Sequence, residues 1–92
     1  MLEFEQPLRP YKWDKVKSRR LKIIRGKSFD EVTTMKFLQE RKNPSRQDQM
    51  LLLFEENGRV WAVPCIFSDH EVFCKTLYQS RKYTKMFHRE EL

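Results

Sequence analysis

The stretch QMLLLFEENGRVWAVPCIF, residues 49–67, decides the fold. Gln49–Glu56 reads as a strand, and Asn57-Gly58 follows as the strongest short hairpin signal a sequence offers. Both central residues of such a turn need positive φ, which Asn and Gly adopt most readily. Arg59–Phe67 then returns with apolar residues on both faces, as a central strand does. Pro64 lies inside that return and has no N–H to give to a ladder, so a bulge or an unpaired side is expected there. Ser68-Asp69-His70 turns the chain again, and Glu71–Tyr78 reads as the third strand of a meander.

On the N-terminal side the period changes. Asp14 can cap a helix; Trp13, Val16, Ile23 and Ile24 recur near helical spacing until Gly26 stops it. Ser28 with Glu31 forms a capping box, and Phe29, Val32, Met35, Phe37 and Leu38 predict a second helix to about Glu40. Residues 41–48 form a polar loop containing Pro44. Residues 1–10, with two prolines, read as a short extended arm or edge strand. Beyond the meander, Ser80 opens a short terminal helix. The expected fold is α+β: two N-terminal helices (14–40) packed on one face of a small antiparallel β meander (49–78), with a C-terminal helix over 80–90. The whole chain, 1–92, makes one domain.

Composition narrows the chemistry. Ninety-two residues build a modest core, for which seven Phe, two Trp and three Tyr supply the bulk. Two glycines and no G-x-G-x-x-G or P-loop pattern argue against a glycine-rich nucleotide loop. The net charge of +6 suits a polyanion, nucleic acid first. From Arg9 to Lys27 there are nine Lys or Arg residues and one acid, Asp14. Cys65 and Cys74 are the only cysteines, and a two-residue turn between their strands would set them opposite each other. Without a C-x-x-C spacing they read as buried free thiols of a cytoplasmic protein rather than zinc ligands. The apolar runs are too short for a signal peptide or a membrane span.

His70 and His88 lack a ligand-spaced partner, so no metal site is expected. Ser68, Asp69 and His70 are adjacent in sequence, which is not how a catalytic triad is assembled. The basic stretch VFCKTLYQSRKYTKMFH, residues 72–88, is more suggestive. Cleaving RNA without metal needs a base near the 2′-hydroxyl, an acid for the leaving oxygen, and cations on the developing phosphorane. Arg81, Lys85 and His88 share one face of a helix by their four- and three-residue spacing. On the residues alone two readings stand: a solvated helix beside a sheet, or a phosphate-handling site at the end of one.

A resemblance favours the second. Trp13, Asp14 and Lys17, followed by Gly26, Ser28, Phe29 and Glu31, resemble the W-D-x-x-K and G-x-S-F-E-E-A segments of BrnT-type toxins, the RelE-fold toxins of bacterial toxin–antitoxin pairs. One branch of such proteins is similar more closely, through Leu21, Lys22, Arg25, Gly26, Ser28 and Phe29 early in the chain. Late in the chain the same pattern takes in Gln49, Val63, Pro64, Phe73, Lys75, Thr76, Ser80, Arg81, Lys82, Thr84 and Lys85.

The resemblance spans most of residues 11–87. It implies a metal-independent endoribonuclease that inhibits translation and needs no cofactor. It also implies a cognate antitoxin with a ribbon-helix-helix or helix-turn-helix domain, through which operator DNA is bound. Under that reading Arg81 clamps the transition-state phosphate, and Lys85 or His88 serves as acid or base. Lys75 and Lys82 contact phosphate, Tyr78 stacks on a base, and Arg46 is a further contact. The alternative is a non-catalytic basic module that binds nucleic acid or an antitoxin.

Overall fold

The computed structural model describes residues 6–92, and residues 1–5 of the expected arm lie outside the described part. The elements run β1 (Tyr11–Lys12), α1 (Lys15–Arg25), α2 (Phe29–Thr33), β2 (Lys36–Lys42), β3 (Met50–Glu56) and β4 (Arg59–Phe67). They continue with β5 (Val72–Cys74), β6 (Tyr78–Gln79) and α3 (Arg81–His88). The six strands form one mixed sheet in the order β1-β5-β4-β3-β2, with β6 also pairing to β4. Among the described strands only β1 runs parallel to its neighbour, β5; the other pairs are antiparallel.

The hairpin forms as its dipeptide requires. Asn57 (φ +54°) and Gly58 (φ +79°) are both left-handed, and β3 and β4 pair without interruption from Glu56↔Arg59 to Met50↔Cys65. Alternation along the two strands divides their side chains between two layers. Leu52, Phe54, Trp61, Val63 and Cys65 face α1 and α2, whereas Leu51, Leu53, Val60 and Ala62 face α3. α3 therefore packs on the sheet face opposite the two N-terminal helices, which corrects the single-sided packing expected. Tyr83 is its buried anchor, and burying each such side chain stabilises the fold by about 1.5–3 kcal/mol.

The second helix is also shorter than its spacing predicted. Thr33 and Thr34 turn their hydroxyls onto the carbonyls of Phe29, Asp30 and Glu31, and helical structure ends at Thr33. Residues 36–42, read as helix and loop, form β2 instead. There Phe37 stands opposite Phe54 with their rings edge-on, 5.7 Å apart. Leu38 bulges out between Phe37 and Gln39 and joins the α3 layer.

α1 begins and ends where its caps dictate. Asp14 Oδ1 accepts from the Lys17 amide at 3.0 Å, and Gly26 closes the helix at φ +90°. The capping box at Ser28 and Glu31 is present. The apolar face assigned to α1 is corrected, however. Trp13 precedes the helix and stacks on Phe29, and Ser18 and Leu21 are the side chains that turn inward. Val16, Ile23 and Ile24 are left 58, 83 and 62% exposed.

The third meander strand is split. Between Cys65↔Cys74 and Ala62↔Tyr78, three steps along β4 are matched by four along the partner segment, so one extra residue bulges within Lys75–Leu77. Pro64 supplies the cause. The Lys75 amide donates to the Pro64 carbonyl at 2.8 Å, and Pro64 has no N–H to return to Lys75. The bulge expected at Pro64 thus falls on the strand opposite it.

Candidate functional site

The bulge opens a groove of about 370 Å³ at the sheet end. Its walls come from four segments: Lys17 of α1, the 43–49 loop, Pro64 of β4, and the run from Lys75 to Tyr78. The loop is held shut by its own polar groups. The Asn43 side-chain amide donates to Gln49 Oε1 at 3.2 Å, while Asn43 Oδ1 accepts from the Ser45 amide at 2.9 Å. Backbone bonds from Arg46 to Asn43 and from Gln49 to Arg46 complete a turn that presents Arg46 to the groove. On the facing wall Arg25 donates from Nη1 to Thr76 Oγ1 and to the Leu77 carbonyl. Since Leu77 lies in the bulge, this guanidinium pins the irregular segment to the end of α1.

The electrostatics are one-sided. Lys17, Arg46 and Lys75 converge from three elements, and among the described residues the side chains lining the groove include no carboxylate. The two ion pairs among the described residues, Lys22–Glu31 and Lys27–Glu56, involve none of the three. Lys75 Nζ also lies 5.6 Å from the Phe73 ring centroid, which steadies the ammonium without neutralising it. The Tyr78 ring is partly exposed beside them, and burial of its hydroxyl raises its pKa above the ordinary tyrosine value. Such a groove can take a phosphate between its cations and a flat ring against Tyr78.

The seven site residues read from the sequence fall in two places. Arg46, Lys75 and Tyr78 line this groove together. Arg81, Lys82, Lys85 and His88 lie on α3, outside the groove lining. Lys82 and Arg41 each approach the Tyr83 ring, both at 5.3 Å from its centroid. His88, at the far end of α3, packs over the hairpin: a Cβ placed on Gly58 would stand 3.3 Å from its Cε1. Ser80 caps α3 through the Tyr83 amide, and the Thr84 hydroxyl accepts from the Val60 amide at 2.9 Å. Of these two members of the resembling motif, Ser80 starts the helix and Thr84 ties it to β4.

Lys17, Asn43, Ser45 and Thr76 belong to the groove but were not among the expected site residues. Asn43-Pro44-Ser45 is a turn signal visible in the sequence. Nothing in the sequence brings Lys17 near Arg46, because only the tertiary fold joins them.

The two cysteines sit directly opposite each other in the β4–β5 ladder, both buried and both free thiols. Burial pushes each thiol up to about 12. Among the described residues no group of three or more His, Cys, Asp or Glu comes together as a metal site would require. No described helix is long and apolar enough to cross a membrane. No protein-family model, curated protein or solved structure matches the chain.

Proposed function

We propose that this protein is the RNA-cleaving toxin of a toxin–antitoxin pair, of the BrnT kind that its two motif regions resemble. The observation that carries the reading is the convergence of Lys17, Arg46 and Lys75 beside the Tyr78 ring. These three cations around one cavity stabilise the doubly charged phosphorane formed when a ribose 2′-hydroxyl gives its proton to a solvent water and its oxygen attacks the adjacent 3′-phosphate. The bond to the 5′-oxygen then breaks, leaving a 2′,3′-cyclic phosphate and a 5′-hydroxyl. The Tyr78 hydroxyl, kept protonated, is the donor to that leaving oxygen. Arg81, at the start of α3 and three residues beyond Tyr78, is the helix cation closest to the groove along the chain and serves as a second phosphate clamp.

The test is cleavage of RNA by the purified protein in EDTA. Lys75→Ala and Arg46→Ala are expected to lower the rate by about tenfold or more each, with the melting temperature almost unmoved. Wild-type rates in both variants would remove the groove from the reaction.

A second reading rests on one observation: among the described residues no imidazole or carboxylate lines the groove to serve as an ordinary general base. It makes the protein a binding module that grips RNA, or an acidic antitoxin, without cutting. Salt-dependent RNA binding with no cleavage products, and harmless overexpression, would select it.

A further inference from the structure

A larger groove, of about 650 Å³, lies on the other flank of α1, between β1, α1 and the start of α2. Its lining includes Tyr11, Lys12 and Trp13 on one side, Lys15 and Arg19 of α1 on another, and Asp30 of α2. Three features of it point to one ligand chemistry. Trp13 stacks one face of its indole on the buried Phe29, with ring centroids 5.6 Å apart and planes 25° from parallel, and it also lines the groove. The indole is therefore a fixed platform rather than a mobile side chain. Lys12, Lys15 and Arg19 are all exposed, and neither ion pair among the described residues includes them. Of the two lining carboxylates, Glu31 is held by Lys22 at 2.8 Å, while Asp30 takes part in neither ion pair.

We infer that this groove is a second nucleotide subsite, in which a base stacks on Trp13, its phosphate is held by Lys15 and Arg19, and Asp30 accepts from the base edge. A carboxylate accepts two hydrogen bonds side by side, which matches the N1–H and N2–H donors of guanine and no other standard base. The two grooves share α1 as their common wall: Lys17 lines one, and Lys15 and Arg19 line the other. An RNA strand that crosses the N-terminal half of α1 engages both. The inference rests on the RNA reading above, and it adds to it a base preference.

The two tryptophans make the test direct, because Trp61 is buried in the core and Trp13 is not. Titration with a short guanine-containing 2′-O-methyl oligoribonucleotide, which cannot be cleaved at the blocked 2′ position, should quench tryptophan emission to saturation. Trp13→Phe should abolish the quench. Arg19→Glu and Lys15→Glu should weaken binding about tenfold or more, and Lys15→Glu places an acid in the first turn of α1, where the helix tolerates it well. Asp30→Asn should erase the preference for guanine over adenine oligonucleotides. Lys75→Ala should weaken binding but keep the full quench at saturation. Binding seen by fluorescence anisotropy of a labelled oligonucleotide, with Trp13 emission unchanged, overturns the subsite and spares the RNA reading. No anisotropy change, with no quench by free guanosine monophosphate either, overturns both. Quenching by free guanosine monophosphate without oligonucleotide binding keeps the nucleotide chemistry of the groove and overturns the RNA strand as its source.

Discussion

Lys75 gives its amide to Pro64 and receives nothing in return. This half-made pair ends β5 at Cys74, throws one extra residue into the Lys75–Leu77 segment, and leaves the groove open beside it. A single missing donor thus links a residue in the most regular strand to the most irregular part of the chain. Replacing it supplies a direct check. In Pro64→Ala the new amide at position 64 should bond to the Lys75 carbonyl and become protected from hydrogen exchange. Fast exchange there would mean that the bulge has another cause.

Arg25 should hold the bulge from the other side. Its bonds to Thr76 and Leu77 are charge-assisted, and the Leu77 carbonyl is partly buried, so Arg25→Ala is expected to destabilise by about 1–2 kcal/mol. For a domain of this size that lowers the melting temperature by about 4–8 °C per kcal/mol. Arg25→Lys, which keeps a charge but loses the fork, should recover less than half of the loss.

Thr84 offers a cleaner measurement. Its hydroxyl is the acceptor for the Val60 amide, where α3 meets β4. Thr84→Val keeps the shape and strands that amide, at an expected cost of about 1–3 kcal/mol, whereas Thr84→Ser should be close to neutral. Equal losses in urea denaturation for both variants would show that packing, and not the hydrogen bond, holds the helix.

Gly58 is constrained twice, by its φ of +79° and by His88 above it. Gly58→Ala should cost about 1–2 kcal/mol in the wild-type background. In a His88→Ala background only the backbone part remains, so the penalty should shrink. An unchanged penalty would show that the imidazole yields freely.

Acid sensitivity should centre on Glu31, whose carboxyl is held down at about 2 by the Lys22 ammonium and then by the Ser28 amide. Its folded pKa lies below the ordinary value, so its contribution is complete above about 4.5 and is lost as pH falls toward 2. The melting temperature of the wild type should fall across that window. Glu31→Gln should start lower at neutral pH and show a flatter profile there.

How far these features could be read in advance differs from element to element. Asn57-Gly58, Asp14 and Gly26, and the Ser28–Glu31 box were legible because each satisfies a local need: a positive φ or an orphaned amide. β2 was not. Met35, Phe37 and Leu38 suit a helical face as well as a strand, and the partner Phe54 and the two threonine hydroxyls decided between them. For the groove, Arg46, Lys75 and Tyr78 were identifiable as basic or aromatic residues near strand ends. Lys17 was not, because its place beside them depends on how α1 crosses the sheet end. The α3 cations lie outside the groove lining, and helical spacing aligned Arg81, Lys85 and His88 without showing which way that face points.

The bulge at Leu38 has a consequence for the molecule in a crowded solution. β2 is the outermost strand beside β3, and its outer edge offers unpaired backbone groups to any passing chain. Its seven residues carry five charged or amide side chains, Lys36, Gln39, Glu40, Arg41 and Lys42, and Leu38 breaks the spacing that a docking strand would have to match. An interrupted, charged border of this kind is a poor template for strand addition, and it guards copies of this protein against joining edge to edge.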